Sequence, residues 1–306
     1  MATVNNRVMS PQGLVINGVD AGGAMTVNVK AGNDQTNKSA PDGLAVPVKD
    51  KEMQYVRGTV VTQDWVHAVE LLTAVVGDLV FYERKSNIPA ANGYIKHTIA
   101  NPVIHRMQLR FNRKGYATAT FNFECRAADE TKGIIDMWSS KDNQSAPTYI
   151  SAARGGVRIL SATHGTVGTL ISILHNTDFE FSIEMRLAKE SNDADVGYTC
   201  VDAMTDGMTC RGSIGFQDAA IAADVMLIQK LITAAKGPLV ITVRQSQGAT
   251  SKVITIANVD FDSNSSNSSA TSDYTGYTLD YDVANIAGTP LTLEGDNKII
   301  EITDLA

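Results

Sequence analysis

The chain has 306 residues, a formal net charge of −7 and a hydrophobic content of 43%. This content is too high for a disordered chain, and the length is enough for two domains of about 150 residues each. The acidic balance argues against a protein that grips nucleic acid, because phosphate neutralisation needs clustered Lys and Arg. The sequence has neither a run of about 18 apolar residues nor an N-terminal basic region before an apolar run, so we expect no membrane span and no secretory signal.

The first half of the chain alternates strand-like and helix-like segments. Residues 14–30 break at two glycines and then alternate apolar and polar side chains, which predicts a β-hairpin. A polar loop is expected over Ala31 to Gly43. In residues 62–77 apolar side chains recur at helical spacing and the segment ends at a glycine, so we predict a helix there. Three strand-like runs follow, at 79–84, 98–104 and 116–125.

The segments that follow suggest a boundary near the middle of the chain. Residues 128–138 are typical of a short helix, and residues 139–156 of a linker. The terminal segment 291–302 predicts a hairpin that turns at Gly295.

Four segments of the first half recur in the same order in the second half. RGTVVTQD, from Arg57, returns as RGSIGFQD from Arg211, and GDLVFYER, from Gly77, returns as GPLVITVR from Gly237. The tetrapeptide TIAN and the alternating strand after it also recur, at offsets of 157 and 158 residues. An ordered series with slowly drifting offsets indicates an internal duplication.

We therefore predict two tandem homologous domains, residues 1–150 and 151–306. In the second, strands are expected before a polar loop from Ala188 to Gly197, and a longer helix is expected over residues 217–237. Each domain is predicted to be a mostly antiparallel β-sandwich or partly open barrel flanked by one main helix. The fold class is thus mainly β with α, an α+β arrangement.

The repeated segment places an Arg-Gly pair in a strand and a Gln-Asp pair at a strand-to-helix junction. Glycine inside a strand usually marks a bulge or a close approach, and aspartate near a helix N-terminus accepts free backbone N–H groups. We therefore predict a structural junction that both copies share, rather than a catalytic site. Its residues are Arg57, Gly58, Gln63, Asp64, Arg211, Gly212, Gln217 and Asp218.

The sequence carries no pattern typical of catalysis or of cofactor binding. GxSxG, GxxxxGK[ST] and GxGxxG are all missing, and the histidines and cysteines lack the spacing of metal ligands. The segment from Asp260 begins like an EF-hand loop, but Ser265 and Thr271 stand where glycine and the bidentate glutamate are required. We predict no catalytic residue, no cofactor and no metal, and hence a protein that is not an enzyme.

The order of hairpin, long loop, strand, helix and strands, present in both copies, resembles the tail tube proteins of tailed bacteriophages, in a duplicated form with two tube domains. The resemblance covers nearly the whole chain apart from the linker and the terminal hairpin. It implies a structural virion protein whose copies form trimeric rings with pseudo-sixfold symmetry. These rings are expected to stack into a tail tube that conducts DNA.

The resemblance also implies partners and a location. The partners are further copies of the chain and other tail proteins, with DNA only as transiting cargo and no membrane. The location is the virion tail, after assembly in the host cytoplasm. Residues 1–153 carry 16 Lys and Arg against 14 Asp and Glu, a net charge of +2, whereas residues 154–306 carry 10 against 19, a net charge of −9. Such domains would attract each other around a ring, and the acidic balance agrees with the negative lumen typical of the family.

Long loops without secondary structure usually have a function, so we expect the two polar loops to make contacts between rings. The residues concerned are Asn33, Asp34, Lys38, Asp42, Glu190, Asp193 and Asp195. Two alternatives remain. A baseplate hub or adaptor would share the fold but form a single ring. A ligand-binding β-sandwich protein or an enzyme would need a cluster of carboxylates or surface aromatics.

Overall fold

The computed structural model describes most of the chain as β-strands. It covers residues 8–16, 19–20, 24–38, 48–73, 77–85, 92–111, 117–126, 134–147, 157–165, 168–171, 178–191, 198–216, 235–244, 250–267, 276–286 and 289–305. The strands of the first half are β1 (Val8–Ile16), β2 (Val19–Asp20), β3 (Ala24–Lys38), β4 (Val48–Thr62), β5 (Leu79–Lys85), β6 (Tyr94–Ile99), β7 (Pro102–Phe111), β8 (Thr118–Cys125) and β9 (Trp138–Gln144). Those of the second half are β10 (Arg158–His164), β11 (Gly168–Ile171), β12 (Asp178–Ser191), β13 (Tyr198–Phe216), β14 (Gly237–Arg244), β15 (Ser251–Asn267), β16 (Gly276–Val283) and β17 (Ile300–Asp304).

These strands form two sheets with antiparallel pairing. The smaller sheet has the order β2-β1-β5-β6-β9. The larger has the order β11-β10-β14-β15-β16-β13-β12-β7-β8-β4-β3, and β17 also pairs with β15. The two sheets share one apolar core, to which Leu14, Phe81 and Ile99 contribute from the smaller sheet and Val60 and Phe121 from the larger. The fold is therefore mainly β and has the layering of a β-sandwich.

The larger sheet is continuous between the two halves of the sequence because β7 pairs with β12. In this joint Phe111 lies opposite Phe179, and the centroids of their rings are 5.2 Å apart. Trp65 packs edge-on against Phe111 at 4.9 Å. All three side chains are almost fully buried, so the joint between the halves is part of the core.

The described helices are short. The helix α1 (Ala68–Thr73) buries Ala68, Leu71 and Leu72; it lies within the helix predicted over 62–77 and is shorter than that prediction. A 3-10 helix, Ile134–Met137, occupies the end of the short helix predicted over 128–138. A longer helix was predicted over 217–237. Residues 217–234 lie outside the described part of the chain, and Gly237 is the first residue of β14.

Two predictions about the connections near the start of the chain were wrong. Residues 14–30 do not form one hairpin: β1 pairs with β2 and β5 in the smaller sheet, whereas β3 pairs with β4 in the larger sheet. The polar loop predicted from Ala31 is largely strand, because β3 runs on to Lys38 and pairs with β4 as far as Val48. Ladder hydrogen bonds thus hold an extended conformation where side-chain polarity suggested a loop.

The other predicted connections also need correction. Residues 188–191 belong to β12 rather than to a loop. Residues 139–144 of the predicted linker are β9, which pairs with β6. At the C-terminus the chain does turn at Gly295, and backbone hydrogen bonds join Thr292 to Asn297 and Ile299 across this turn, but β17 then pairs with β15 and not with the segment before the turn.

Candidate functional site

The glycine of the repeated Arg-Gly pair lies where neighbouring strands leave no room for a side chain. Gly58 of β4 lies opposite Val29 of β3 and Phe123 of β8. A methyl group at Gly58 would lie 2.9 Å from Phe123 Cζ and still closer to the carbonyl oxygen of Asn28. Only glycine fits there, which confirms the predicted close approach.

The second copy repeats this geometry. Gly212 of β13 lies opposite Phe181 of β12 and Tyr281 of β16, and a methyl group there would lie 2.6 Å from Tyr281 Cζ. The Tyr281 hydroxyl donates a hydrogen bond of 3.2 Å to the carbonyl oxygen of Glu180, and burial raises the pKa of this tyrosine well above its ordinary value. In both copies an aromatic side chain therefore covers the glycine from the neighbouring strand.

In the first copy of the Gln-Asp pair, the aspartate contacts a nearby side chain. The Asp64 carboxylate lies 2.8 Å from His67 Nδ1, and the Asp64 backbone N–H donates to Thr62 Oγ1 at 3.1 Å. Asp64 is buried and lies at the turn before α1, so it fixes this turn through His67 rather than through the free N–H groups of the helix. Gln63 is half-buried beside it, whereas Gln217 and Asp218 lie outside the described residues.

The face of the larger sheet that points away from the core carries most of its charged side chains, and we call it the open face. On β7 the alternation is clear: Met107, Leu109 and Phe111 are buried, whereas Gln108 and Arg110 lie on the opposite side. The partner positions on β12 give the open face Glu180, Ser182 and Glu184.

Over the first half, the open face contains a depression of about 340 Å³ that surrounds Arg57, which we call the basic depression. Lys30 and Arg57 are directly opposite each other in the β3–β4 pair, and both lie over the ring of Tyr55, at 5.8 and 4.2 Å from its centroid. Burial lowers the pKa of the adjacent His105, which disfavours the charged form of its ring. The polar residues that line the basic depression are Asn28, Lys30, Arg57, Thr59, His105, Asn122 and Glu124.

Over the second half, an equivalent depression of about 430 Å³ surrounds Arg211, and we call it the acidic depression. Strand register relates the two sites: Thr59 pairs with Asn28 and Asn122 in the first, and Ser213 pairs with Glu180 and Asp280 in the second. The two depressions therefore lie at corresponding strand positions, and the net charges of their lining residues have opposite signs. The charged and polar residues of the acidic depression include Glu180, Ser182, Arg211, Asp262, Asp280 and Asp282.

Loose ion pairs connect the two halves across the β7–β12 joint. Arg106 Nε lies 4.0 Å from a Glu184 carboxylate oxygen, and Arg110 Nε lies 3.9 Å from Glu180. The Gln108 amide donates a shorter bond of 2.6 Å to Glu180. These side chains are partly exposed, so the ion pairs contribute little to the stability of the β7–β12 joint.

A polar array on β5, β6 and β9 was not found from the sequence. Ser140 Oγ lies 2.8 Å from His97 Nδ1, and His97 Nε2 lies 3.1 Å from a Glu83 carboxylate oxygen. Nearby, the Lys85 ammonium group binds Asp142. The array connects β9 to its neighbours through cross-strand contacts, and Phe81 stacks on His97 at 4.5 Å, so we assign it to the edge of the smaller sheet as a structural element.

Four of the residues expected to make ring contacts lie in strands of the two long hairpins. Asn33, Asp34 and Lys38 are in β3, and Glu190 is in β12. Asp42, Asp193 and Asp195 lie outside the described residues. The hairpin β3–β4 extends beyond β8, because β8 pairs only with residues 57–62 of β4.

Three further observations limit the chemistry of the described residues. Within them, no group of three or more His, Cys, Asp or Glu side chains could hold a metal ion. No helix in the described part of the chain is long and apolar enough to cross a membrane. No protein-family model matches the chain, and a search of curated proteins finds no match. The functional assignment therefore depends on the geometry of the sheets.

Proposed function

We propose that this chain is a structural protein that assembles with copies of itself into rings. The rings contain three chains with pseudo-sixfold symmetry and stack into a tube that conducts DNA, as in the tail tube proteins that the sequence resembles. Each chain supplies two homologous domains, residues 1–150 and 151–306. The observation that carries this proposal is the β7–β12 joint, which already connects one half to the other edge to edge.

Strand pairing supports the proposed duplication. In the first half β5 pairs with β1 and β6, and β8 pairs with β4 and β7. In the second half β14 pairs with β10 and β15, and β16 pairs with β13 and β15. The edge strands also correspond, since β9 pairs with β6 as β17 pairs with β15.

Backbone details of the repeated TIAN segment agree with this correspondence. Asn101 and Asn258 both have left-handed conformations, with φ of 51° and 47°. The carbonyl oxygen of Asn101 accepts the N–H of Arg126 at 3.2 Å, and that of Asn258 accepts the N–H of Ala284 at 3.2 Å. A bulge follows at the same distance, between Ile104 and Arg106 and between Phe261 and Ser263. Unrelated strands would not be expected to share such irregularities.

The same correspondence identifies the edges at which a second copy would bind. β12 corresponds to β3, and β7 corresponds to the C-terminal part of β15. β3 ends the larger sheet, and within the described strands residues 260–267 of β15 pair on one side only, with β16. We propose that β3 of one chain pairs with β15 of the next as β12 pairs with β7. This head-to-tail contact closes into a ring when the rotation per chain permits it.

The β7–β12 register gives this contact a specific form. Phe181 lies opposite Leu109 and Ile183 opposite Met107. The corresponding pairs between chains are Val29 with Ser266 and Ala31 with Asn264. Directly opposite positions have Cα atoms about 4.5–5.5 Å apart, a distance that a disulfide can span.

Cysteine cross-linking tests the contact. In a background that lacks the native cysteines, Val29→Cys combined with Ser266→Cys is expected to give covalent trimers after mild oxidation. The matched control, Val29→Cys with Ser263→Cys, shifts the register by three residues and should cross-link poorly. A solution mass of one chain at high concentration and low salt would contradict the proposal.

Electron microscopy separates a tube from a hub or adaptor, since the former gives long tubes and the latter discs. The β3–β4 hairpin supplies a second test. Replacing residues 36–50 by Asn-Gly, a two-residue turn, shortens the hairpin at the paired positions Gln35 and Lys51. We expect rings that form normally but no longer stack, and unchanged tubes would refute the proposed stacking role.

A further inference from the structure

We infer that the basic depression is a contact site for backbone phosphates of double-stranded DNA. This inference rests on the proposed function, in which we take the open face of every chain to line the lumen of the ring. It also changes the expectation of a uniformly negative lumen, since the two halves of the open face differ in charge.

The chemistry of the basic depression fits a phosphate. Arg57 supplies a planar guanidinium group and Lys30 an ammonium group, and both are exposed. Among the described residues neither of them pairs with a carboxylate. Both instead lie over the Tyr55 ring, which restricts their motion. Asn28 and Asn122 add amide donors beside them. Guanidinium, ammonium and amide groups together match an anion with several acceptor oxygens.

The carboxylate that lines the basic depression is already neutralised. Glu124 is buried, and one of its oxygens accepts a 2.5 Å bond from the Lys189 ammonium group. It therefore repels an approaching phosphate much less than an exposed carboxylate would. Across the β7–β12 joint Arg106 and Arg110 lie beside Glu184 and Glu180, so their charges are largely balanced and the positive charge of the basic depression comes from Lys30 and Arg57.

The acidic depression has the opposite effect on a phosphate. Glu180 and Asp280 occupy the register positions of Asn28 and Asn122, and Asp262 adds a further carboxylate. In a ring of three chains, three basic sectors would alternate with three acidic ones. A DNA duplex in the lumen would then contact only the basic sectors, and each contact would be weak. The duplex could therefore slide through the ring and would not bind tightly.

The test is a titration of a short fluorescent DNA duplex with the full chain, followed by anisotropy at low and moderate salt. Arg57→Glu should weaken binding about tenfold and lower the salt dependence by about one phosphate contact or more. Arg211→Glu is the same substitution at the equivalent position and should change the affinity less than about twofold. Glu180→Asn with Asp280→Asn, which copies the basic site, should strengthen binding.

Arg57 packs on Tyr55, so Lys30→Glu provides a second variant with less effect on packing and the same expected loss. No duplex binding at low salt, or equal losses for Arg57→Glu and Arg211→Glu, would overturn the inference. Electron microscopy of the same samples separates it from the proposed function. Tubes that fail to bind DNA would leave the assembly proposal intact, whereas single chains that bind DNA through Arg57 would support the site and contradict the assembly.

Discussion

Replacing Gly58 by alanine should destabilise the protein strongly, because the added methyl group has no room between strands β3, β4 and β8. The new methyl group would lie 2.9 Å from Phe123 Cζ and closer still to the Asn28 carbonyl oxygen, which belongs to the backbone and cannot rotate away. Strands β3 and β4 must therefore separate locally. Overpacking of this kind costs about 1–3 kcal/mol, and a weakened ladder hydrogen bond adds about 1 kcal/mol. We expect a loss of about 3 kcal/mol in the free energy of unfolding.

Urea denaturation followed by circular dichroism measures this loss. Gly207→Ala is the matched control, because Gly207 has a φ of 77° and no atom lies within 4 Å of the added methyl group. Only backbone strain of about 1–2 kcal/mol opposes that change. Both substitutions reduce the entropy of the unfolded chain equally, so the difference between them is the cost of the close approach at Gly58 minus the backbone strain at Gly207. The reasoning is refuted if Gly58→Ala costs no more than Gly207→Ala.

Three further predictions concern the core, the smaller sheet and a buried thiol. Phe111→Ala should lower the free energy of unfolding by about 4 kcal/mol, because it leaves a cavity beside Phe179 at the joint; a loss below about 1 kcal/mol in urea denaturation would contradict this. The Lys85 hydrogen bond lowers the pKa of Asp142, so this contact contributes stability above the unfolded pKa of the carboxyl group and loses it as pH falls through the folded value. Lys85→Met should return the Asp142 pKa toward 3.8 in an NMR titration, and an unchanged pKa would show that Lys85 is not its cause. Burial raises the pKa of Cys210 to about 12, so its thiol should remain unlabelled by an alkylating reagent at pH 8 until the protein is unfolded, as peptide mass spectrometry can verify.

The sequence identified the strands of the core well, because their side chains alternate between a buried and an open face. β8 is an example: Ala119, Phe121 and Phe123 are buried, whereas Thr120 and Asn122 between them are only partly so. The repeat of the Arg-Gly pair also marks a structural constraint. Neighbouring backbone and an aromatic ring leave no room for a side chain at Gly58 or at Gly212. These features depend on neighbours in sequence or on one residue type, and such information is local.

The partners of the strands were harder to predict. Alternation shows which face of a strand is buried, but not which strand lies beside it, so β1 and β3 were wrongly joined in a hairpin. Residues 33–38 are all polar, so no alternation of apolar and polar side chains marks them as strand. The joint between Phe111 and Phe179 connects residues far apart in the chain, and no short pattern encodes it.

The charge of the open face shows how a net value conceals a local one. The chain as a whole is acidic, and from this the sequence predicted a surface that repels nucleic acid. Strand register, however, gathers Lys30 and Arg57 into one sector and Asp280 and Asp282 into another. Affinity for a polyanion depends on the charges within about one Debye length, about 8–10 Å, and not on the total. The fold therefore determines the sign of the local charge near a phosphate group that approaches the open face.

The composition of the two joints also bears on the order of assembly. Within the chain, β7 brings Met107 and Leu109 to buried positions beside β12. At the corresponding positions of β15 the chain has Asn264 and Ser266. A joint between chains would therefore depend on backbone hydrogen bonds and on charge, and it would gain little from apolar burial. Under the proposed assembly, each chain completes its internal joint on folding, and rings form afterwards in a step that responds to protein concentration and to salt.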